Sequence, residues 1–146
     1  MAARRLLATM PLHAITATYG EEGLRERLAL EITVFPEADR RRLERALELA
    51  ARVHAGDRRQ REPYLNHLLR VAIRIIAYYH VRDADVVCAA LLHDAVEDHP
   101  GELAPGGGQR EALAVLAAEF GSRAAKLVEA VTNPAWQPGQ DKHEQY

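Results

Sequence analysis

Apolar residues recur every three or four positions along most of the chain, and the breaks in that rhythm divide it into helices. Leu24, Leu28, Ile32 and Phe35 keep helical spacing from Glu21 to Phe35, where Pro36 supplies a stop. Residues 37–54 set Leu43, Ala46, Leu47, Ala50, Val53 and His54 on one stripe with arginines and glutamates opposite, the pattern of an amphipathic helix. Gly56-Asp57 ends it, and Arg58 to Glu62 reads as a short polar loop holding three arginines. Pro63 suits the first turn of a further helix, because its missing N–H would have no intrahelical partner there. His67, Leu68, Val71, Ala72, Ile75, Ile76 and Tyr79 form the apolar stripe of that helix and put His67 on its core side. Asp83 is placed to cap a helix over 83–98.

Pro100 to Gln109, with Pro105 and Gly106-Gly107-Gly108, reads as a surface loop. One helix follows with Leu113, Leu116, Ala117 and Phe120 inward. After Gly121, a Ser122 cap predicts another with Ala124, Leu127, Val128 and Val131, stopped by Asn133-Pro134. Residues 135–140 are loop-like, and Asp141 to Tyr146 could begin one more helix. Strand-period alternation of useful length is absent. The expected fold is all-α, a compact bundle of about five to seven helices. The 83–98 helix belongs at its centre, being apolar on nearly every side.

Composition narrows the class. A length of 146 residues with 48% apolar content allows one globular domain with a real core. Residues 1–20 read as a flexible amino-terminal segment and 21–146 as a single helical domain. The basic start is too short in apolar residues for a secretory signal and is broken by Pro11. No stretch approaches the roughly 18 apolar residues that cross a bilayer, so a cytoplasmic protein without a membrane partner is expected. A net charge of −2 gives no general attraction to nucleic acid, and any phosphate-binding feature must be local. The single Cys88, inside an apolar run, excludes an internal disulfide and reads as a buried structural thiol.

The candidate chemistry sits where the central helix turns polar, at His93-Asp94-Ala95-Val96-Glu97-Asp98. On a helix advancing about 100° per residue, the four ionisable groups fall within about 140° and form one face. Ionised groups at the end of a buried helix cost several kcal/mol unless a partner or a metal compensates them. His93 and Asp94, with His67 as the obvious third donor, make a mixed set compatible with Mn²⁺, Fe²⁺, Co²⁺ or Zn²⁺. Glu97 and Asp98, one turn beyond, can orient or deprotonate a water or protonate a leaving oxygen. Arg58, Arg59 and Arg61 supply the local positive charge a phosphorylated substrate needs.

These residues carry a resemblance. His67 followed by His93-Asp94 resembles the HD superfamily of metal-dependent phosphohydrolases. Val53-His54, the run from Arg58 to His67, Ala89 to Asp98, Glu119-Phe120-Gly121 and Leu127 to Thr132 resemble the hydrolase domain of Rel/SpoT-type alarmone enzymes over residues 37–133. The resemblance implies an HD-like helical bundle in which His67, His93 and Asp94 are metal ligands, usually for manganese. It implies that Glu97 and Asp98 activate water and that Arg58 and Arg59 line a guanosine nucleotide site. The implied reaction, part of the stringent response, removes the 3′-pyrophosphate of guanosine tetra- or pentaphosphate, leaving GDP or GTP and pyrophosphate.

The chain departs from the family pattern where Arg61 replaces a glycine and Leu68 replaces a proline. The later motif that gives the family its fourth ligand, an aspartate, does not occur; Asp141 has a different setting. A domain incomplete at its carboxy-terminal end, resembling a small stand-alone alarmone hydrolase, is therefore expected. The alternatives are an HD phosphohydrolase acting on another nucleotide, such as NADPH, and a non-catalytic domain that binds a nucleotide or partner.

Overall fold

Helix α5 (Ala84–Asp98) runs through the middle of the structure, a computed structural model that describes residues 2–132. Val87, Cys88, Leu91, Leu92, Ala95 and Val96 are all at most 1% exposed, so the helix is covered from several directions. The cover comes from α3 (Glu37–Val53), α4 (Tyr64–Ile73), the single turn α6 (Pro100–Leu103), α7 (Gln109–Phe120) and α8 (Ser122–Val131). Burying one such leucine or valine side chain contributes about 1.5–3 kcal/mol, which makes this apolar run the main source of the bundle's cohesion. Burial also raises the Cys88 thiol to about 11, as expected of a structural cysteine.

The all-α architecture follows the apolar periodicity, with eight helices among the described residues. That is more than the five to seven expected, because α1 (Ala2–Thr9) and the short α6 fall in segments read as irregular. The capping expectation at Asp83 is met: its carboxylate accepts from the Asp85 N–H at 3.1 Å. Pro63 instead lies just outside α4, in the capping position, and Tyr64 is the first helical residue. At Arg74 the helix loosens into a π-type turn that runs to Tyr78. Gly121, at φ 100°, takes the role assigned to Ser122 and is the single residue between the end of α7 and the start of α8.

The amino terminus differs from the loose segment expected. Helix α1 packs on α2 (Leu12–Glu31), and Leu7, Leu12 and Ile15 enter the core. Two features drawn from distant positions allow it. Arg27, only 4% exposed, donates to the carbonyls of Leu7 at 2.7 Å and Met10 at 3.0 Å, satisfying the open end of α1, and pairs with Glu31 at 3.1 Å. Gly20, at φ 64°, bends α2 so sharply that a Cβ on Gly23 would meet Tyr19 Cβ at 2.4 Å. A chain with side chains at both glycines could not fold back this way.

The arginine segment expected as a loop is a minimal antiparallel hairpin. Strand β1 (Arg58–Arg59) pairs with β2 (Glu62–Pro63), with Arg58 opposite Pro63 and Arg59 opposite Glu62. Two-residue strands carry no readable alternation. Arg58 donates to the Arg61 carbonyl at 2.9 Å across the turn, and the Tyr64 N–H closes the base by donating to the Asp57 carbonyl at 3.0 Å. Arg70 then grips Glu62 through two guanidinium nitrogens at 2.9 and 2.8 Å, fixing the hairpin to α4. Among the described residues no helix is long and apolar enough to cross a membrane. The Asn133-Pro134 stop, the 135–140 loop and Asp141 lie outside the described residues.

Candidate functional site

The polar end of α5 faces the first turn of α4. His93 Nε2 and Asp94 Oδ1 lie 3.0 Å apart, and the Tyr64 hydroxyl donates to Asp94 Oδ2 at 2.6 Å, so both carboxylate oxygens are engaged. Burial alone would raise Asp94, but hydrogen bonds from His93 and Tyr64 outweigh it and hold the carboxyl below its ordinary value. Burial likewise opposes the charged form of His93, yet the Asp94 hydrogen bond and charge leave its pKa raised. Burial and the Asp94 carboxylate push the Tyr64 phenol upward, which keeps it a hydrogen-bond donor across the physiological range.

His67 follows Tyr64 by one turn, with ring centroids 5.6 Å apart in an edge-on contact. Burial lowers the His67 pKa, the Arg59 charge lowers it further, and Asp94 opposes them in part. The result is a half-buried imidazole held in its neutral, metal-competent form. Tyr64 joins the remaining elements electrostatically: Asp94 and Asp98 bear on it with negative charge and Arg59 with positive. Arg58 and Arg59 are exposed on the hairpin, Glu97 is half-buried and Asp98 exposed in the last turn of α5.

A carboxylate at the carboxy-terminal end of a helix opposes the macrodipole and costs about 0.3–1 kcal/mol. Glu97 and Asp98 both sit there, in a last turn of α5 that has no basic residue of its own. Two imidazoles and a carboxylate from His67, His93 and Asp94 suit a divalent transition metal in donor chemistry. Their ligand atoms do not, however, close into a group within 4.8 Å of one another, as those of another set do.

That other set is His54, Asp57 and His99, none of which the sequence pattern singles out as a site residue. His54 Nδ1 and His99 Nε2 both approach Asp57 Oδ2, at 2.8 and 2.6 Å. A partial signal existed: the apolar stripe of 37–54 runs into His54, which is 2% exposed. His99, just past the end of α5, offered none. Tyr64 was also missed as a site residue, although it lies within the motif from Arg58 to His67. Its role depends on a partner 30 positions away.

Comparison with known proteins gives this geometry a context. The HD domain family matches residues 46–143. Over 114 residues the chain is 33% identical to the guanosine-3′,5′-bis(diphosphate) 3′-pyrophosphohydrolase of Aquifex aeolicus, covering 77% of this chain and 14% of that protein. It is 43% identical over 72 residues to the bifunctional (p)ppGpp synthase/hydrolase RelA of Mycobacterium tuberculosis, covering 49% of this chain and 10% of the relative. A probable GTP pyrophosphokinase of Mycobacterium leprae is 36% identical over 106 residues, 72% of this chain and 12% of its own length. The chain thus spans only a small part, 10–14%, of these relatives. No solved structure matches it. The match over residues 46–143, which takes in the His93–Asp94 pair, the hairpin and Tyr64, makes the chain a member of the HD domain family.

Proposed function

We propose that the chain is a metal-dependent phosphohydrolase domain that removes the 3′-pyrophosphate from guanosine 3′,5′-bis(diphosphate) or its pentaphosphate analogue. The observation that carries this is the convergence at Tyr64: its hydroxyl holds the His-Asp carboxylate of α5, while the next residues upstream form the arginine hairpin. The residues proposed to hold the metal and those proposed to bind phosphate are thereby neighbours, which supports the reading. The similarity to a protein named for this hydrolysis supports the choice of substrate.

His67, His93 and Asp94 would hold the ion, manganese or another divalent transition metal. When bound, such an ion polarises a phosphoryl oxygen and acidifies water. Tyr64 orients the Asp94 carboxylate through its 2.6 Å hydrogen bond, a fixed donor that limits rotation of the ligand. Arg58 and Arg59 would bind the nucleotide's phosphates, with the hairpin and the Glu62–Arg70 pair limiting how far they can wander.

Glu97 and Asp98 would take the proton of the attacking water as its oxygen bonds to the 3′-phosphorus. The bond from that phosphorus to the ribose 3′ oxygen breaks, and the proton passes to this leaving oxygen. The products are GDP or GTP and pyrophosphate. A nucleotide substrate and a single reduced thiol at Cys88 fit a cytoplasmic setting with no nucleic-acid or membrane partner.

The test is pyrophosphate release from guanosine tetraphosphate with Mn²⁺, measured beside a panel containing NADPH. Release from the guanosine substrate alone supports the assignment. Turnover of another nucleotide in its place moves the domain to a different substrate, and turnover of none leaves a binding domain.

A further inference from the structure

His54, Asp57 and His99 take no part in the reaction above, yet theirs is the tightest convergence of metal-competent atoms among the described residues. We propose that they form a second cation site, for a divalent transition ion of the Zn²⁺ class, which ties the base of the arginine hairpin to the end of α5.

The donor set selects the class of ion. Two imidazole nitrogens and one carboxylate oxygen suit borderline cations, whereas Mg²⁺ and Ca²⁺ prefer sites built from oxygen alone. The three ligands come from three places: His54 closes α3, Asp57 leads into β1, and His99 follows α5. Asp57 and His99 are separated by 42 positions, so an ion shared between them would be a long-range staple. The His54 and His99 rings stand edge-on, 5.4 Å between centroids and 73° between planes, with a nitrogen of each turned to Asp57 Oδ2.

Geometry and access also fit. Ligand atoms about 2.0–2.1 Å from a tetrahedral Zn²⁺ lie roughly 3.3 Å from one another. The contacts of 2.8 and 2.6 Å to Asp57 Oδ2 need to open by roughly 0.5–0.7 Å, within reach of χ rotations at the partly exposed Asp57 and His99. The His54 side chain is fully buried and forms the inner wall, while Asp57 and His99 are 31% and 30% exposed and leave an outer position for water. Burial pushes Asp57 upward, but the two imidazole contacts outweigh it and keep the carboxylate ionised, as a ligand must be.

Ligation through His54 Nδ1 leaves the proton on Nε2, an atom buried without a hydrogen-bond partner. That cost predicts an exchangeable ion rather than one held permanently.

The experiment is calorimetric titration of the chelator-stripped full chain with Zn²⁺, repeated with Co²⁺ to read the ligand-field absorption of a low-coordinate site. In a His93→Ala background, which removes a ligand of the proposed catalytic centre, one ion should still bind. Adding Asp57→Asn or His99→Ala to that background should weaken binding roughly tenfold or more. Helicity by circular dichroism checks each variant. Should His99→Ala unfold, Asp57→Asn decides, because it conserves shape and a hydrogen-bond acceptor. Loss of all Zn²⁺ binding in His93→Ala, or affinity unchanged by Asp57→Asn, overturns the proposal and leaves His54, Asp57 and His99 a hydrogen-bonded triad only.

Discussion

The two ends of α5 carry similar numbers of charged groups and use them in opposite ways. At its amino end Asp85 and Asp83 meet guanidinium groups: Arg42 at 2.7 Å from Asp85, and Arg123 at 2.7 Å from Asp83 and 3.0 Å from Asp85. Arg42 also donates to the Phe120 carbonyl at 2.6 Å, closing the exposed end of α7. Carboxylates there agree with the helix dipole and are matched by cations that never lose their proton. At the other end Asp94, Glu97 and Asp98 oppose the dipole, and Asp94 is met by an imidazole and a phenol. Such partners can exchange protons or yield a lone pair to a metal. One end is locked by fixed charges, and the other carries the groups that the proposed function assigns to a ligand. A difference in stability at one end and in chemistry at the other follows.

The largest expected effect comes from removing the chemistry. Asp94→Ala should lower pyrophosphate release by roughly a hundred- to a thousand-fold while far-ultraviolet circular dichroism stays that of a folded helical protein. Loss of helicity instead would mean that both ends serve stability, erasing the distinction.

Arg42→Ala probes the opposite end. It strips a partly buried contact from Asp85 and from the Phe120 carbonyl, and the expected loss is about 2 kcal/mol in urea unfolding, with metal affinity unchanged. An unchanged denaturation midpoint would contradict the structural role given to this end.

The Glu62–Arg70 pair should respond to acid. Hydrogen bonding from Arg70 outweighs burial and, with help from Asn66, lowers Glu62 to about 2. A depressed carboxyl contributes stability that is fully present above its unfolded value of 4.5 and is lost as pH falls toward 2. The loss is on the order of 2 kcal/mol, read from unfolding midpoints of the wild type across this window. Glu62→Gln should flatten that part of the profile; an unaltered slope would assign the acid sensitivity elsewhere.

The mildest change is Tyr64→Phe, which deletes one hydrogen bond to Asp94 and leaves the ring against His54 and His67. Metal affinity should drop about tenfold with little loss of stability. An unaffected affinity would mean that Asp94 needs no orienting donor.

Several of these elements were legible in the sequence and several were not. The stripes of α3 and α7, most of those of α4 and α8, whose terminal Tyr79 and Val131 are exposed instead of inward, the apolar core of α5 and the Asp83 cap are encoded within a few turns, where side-chain spacing and local hydrogen bonding decide the outcome. The His93-Asp94 dipeptide, with Glu97 and Asp98 one turn on, was equally local. By contrast, α1 was missed because its stability rests on Arg27, whose hydrogen-bond partner Leu7 lies 20 positions away. The hairpin was missed because two-residue strands have no period to detect.

What the sequence alone determined is therefore the all-α class, the central helix and the local grouping of the residues proposed to bind metal or phosphate, since each depends on neighbours along one stretch of chain. Only the tertiary structure decided which of them meet. Tyr64 reaches Asp94 across 30 positions and His99 reaches Asp57 across 42, distances over which the packing of α4, α5 and the hairpin sets the geometry. No local pattern specifies such pairings, because the orientation of each side chain is fixed by elements that fold against it from elsewhere in the chain.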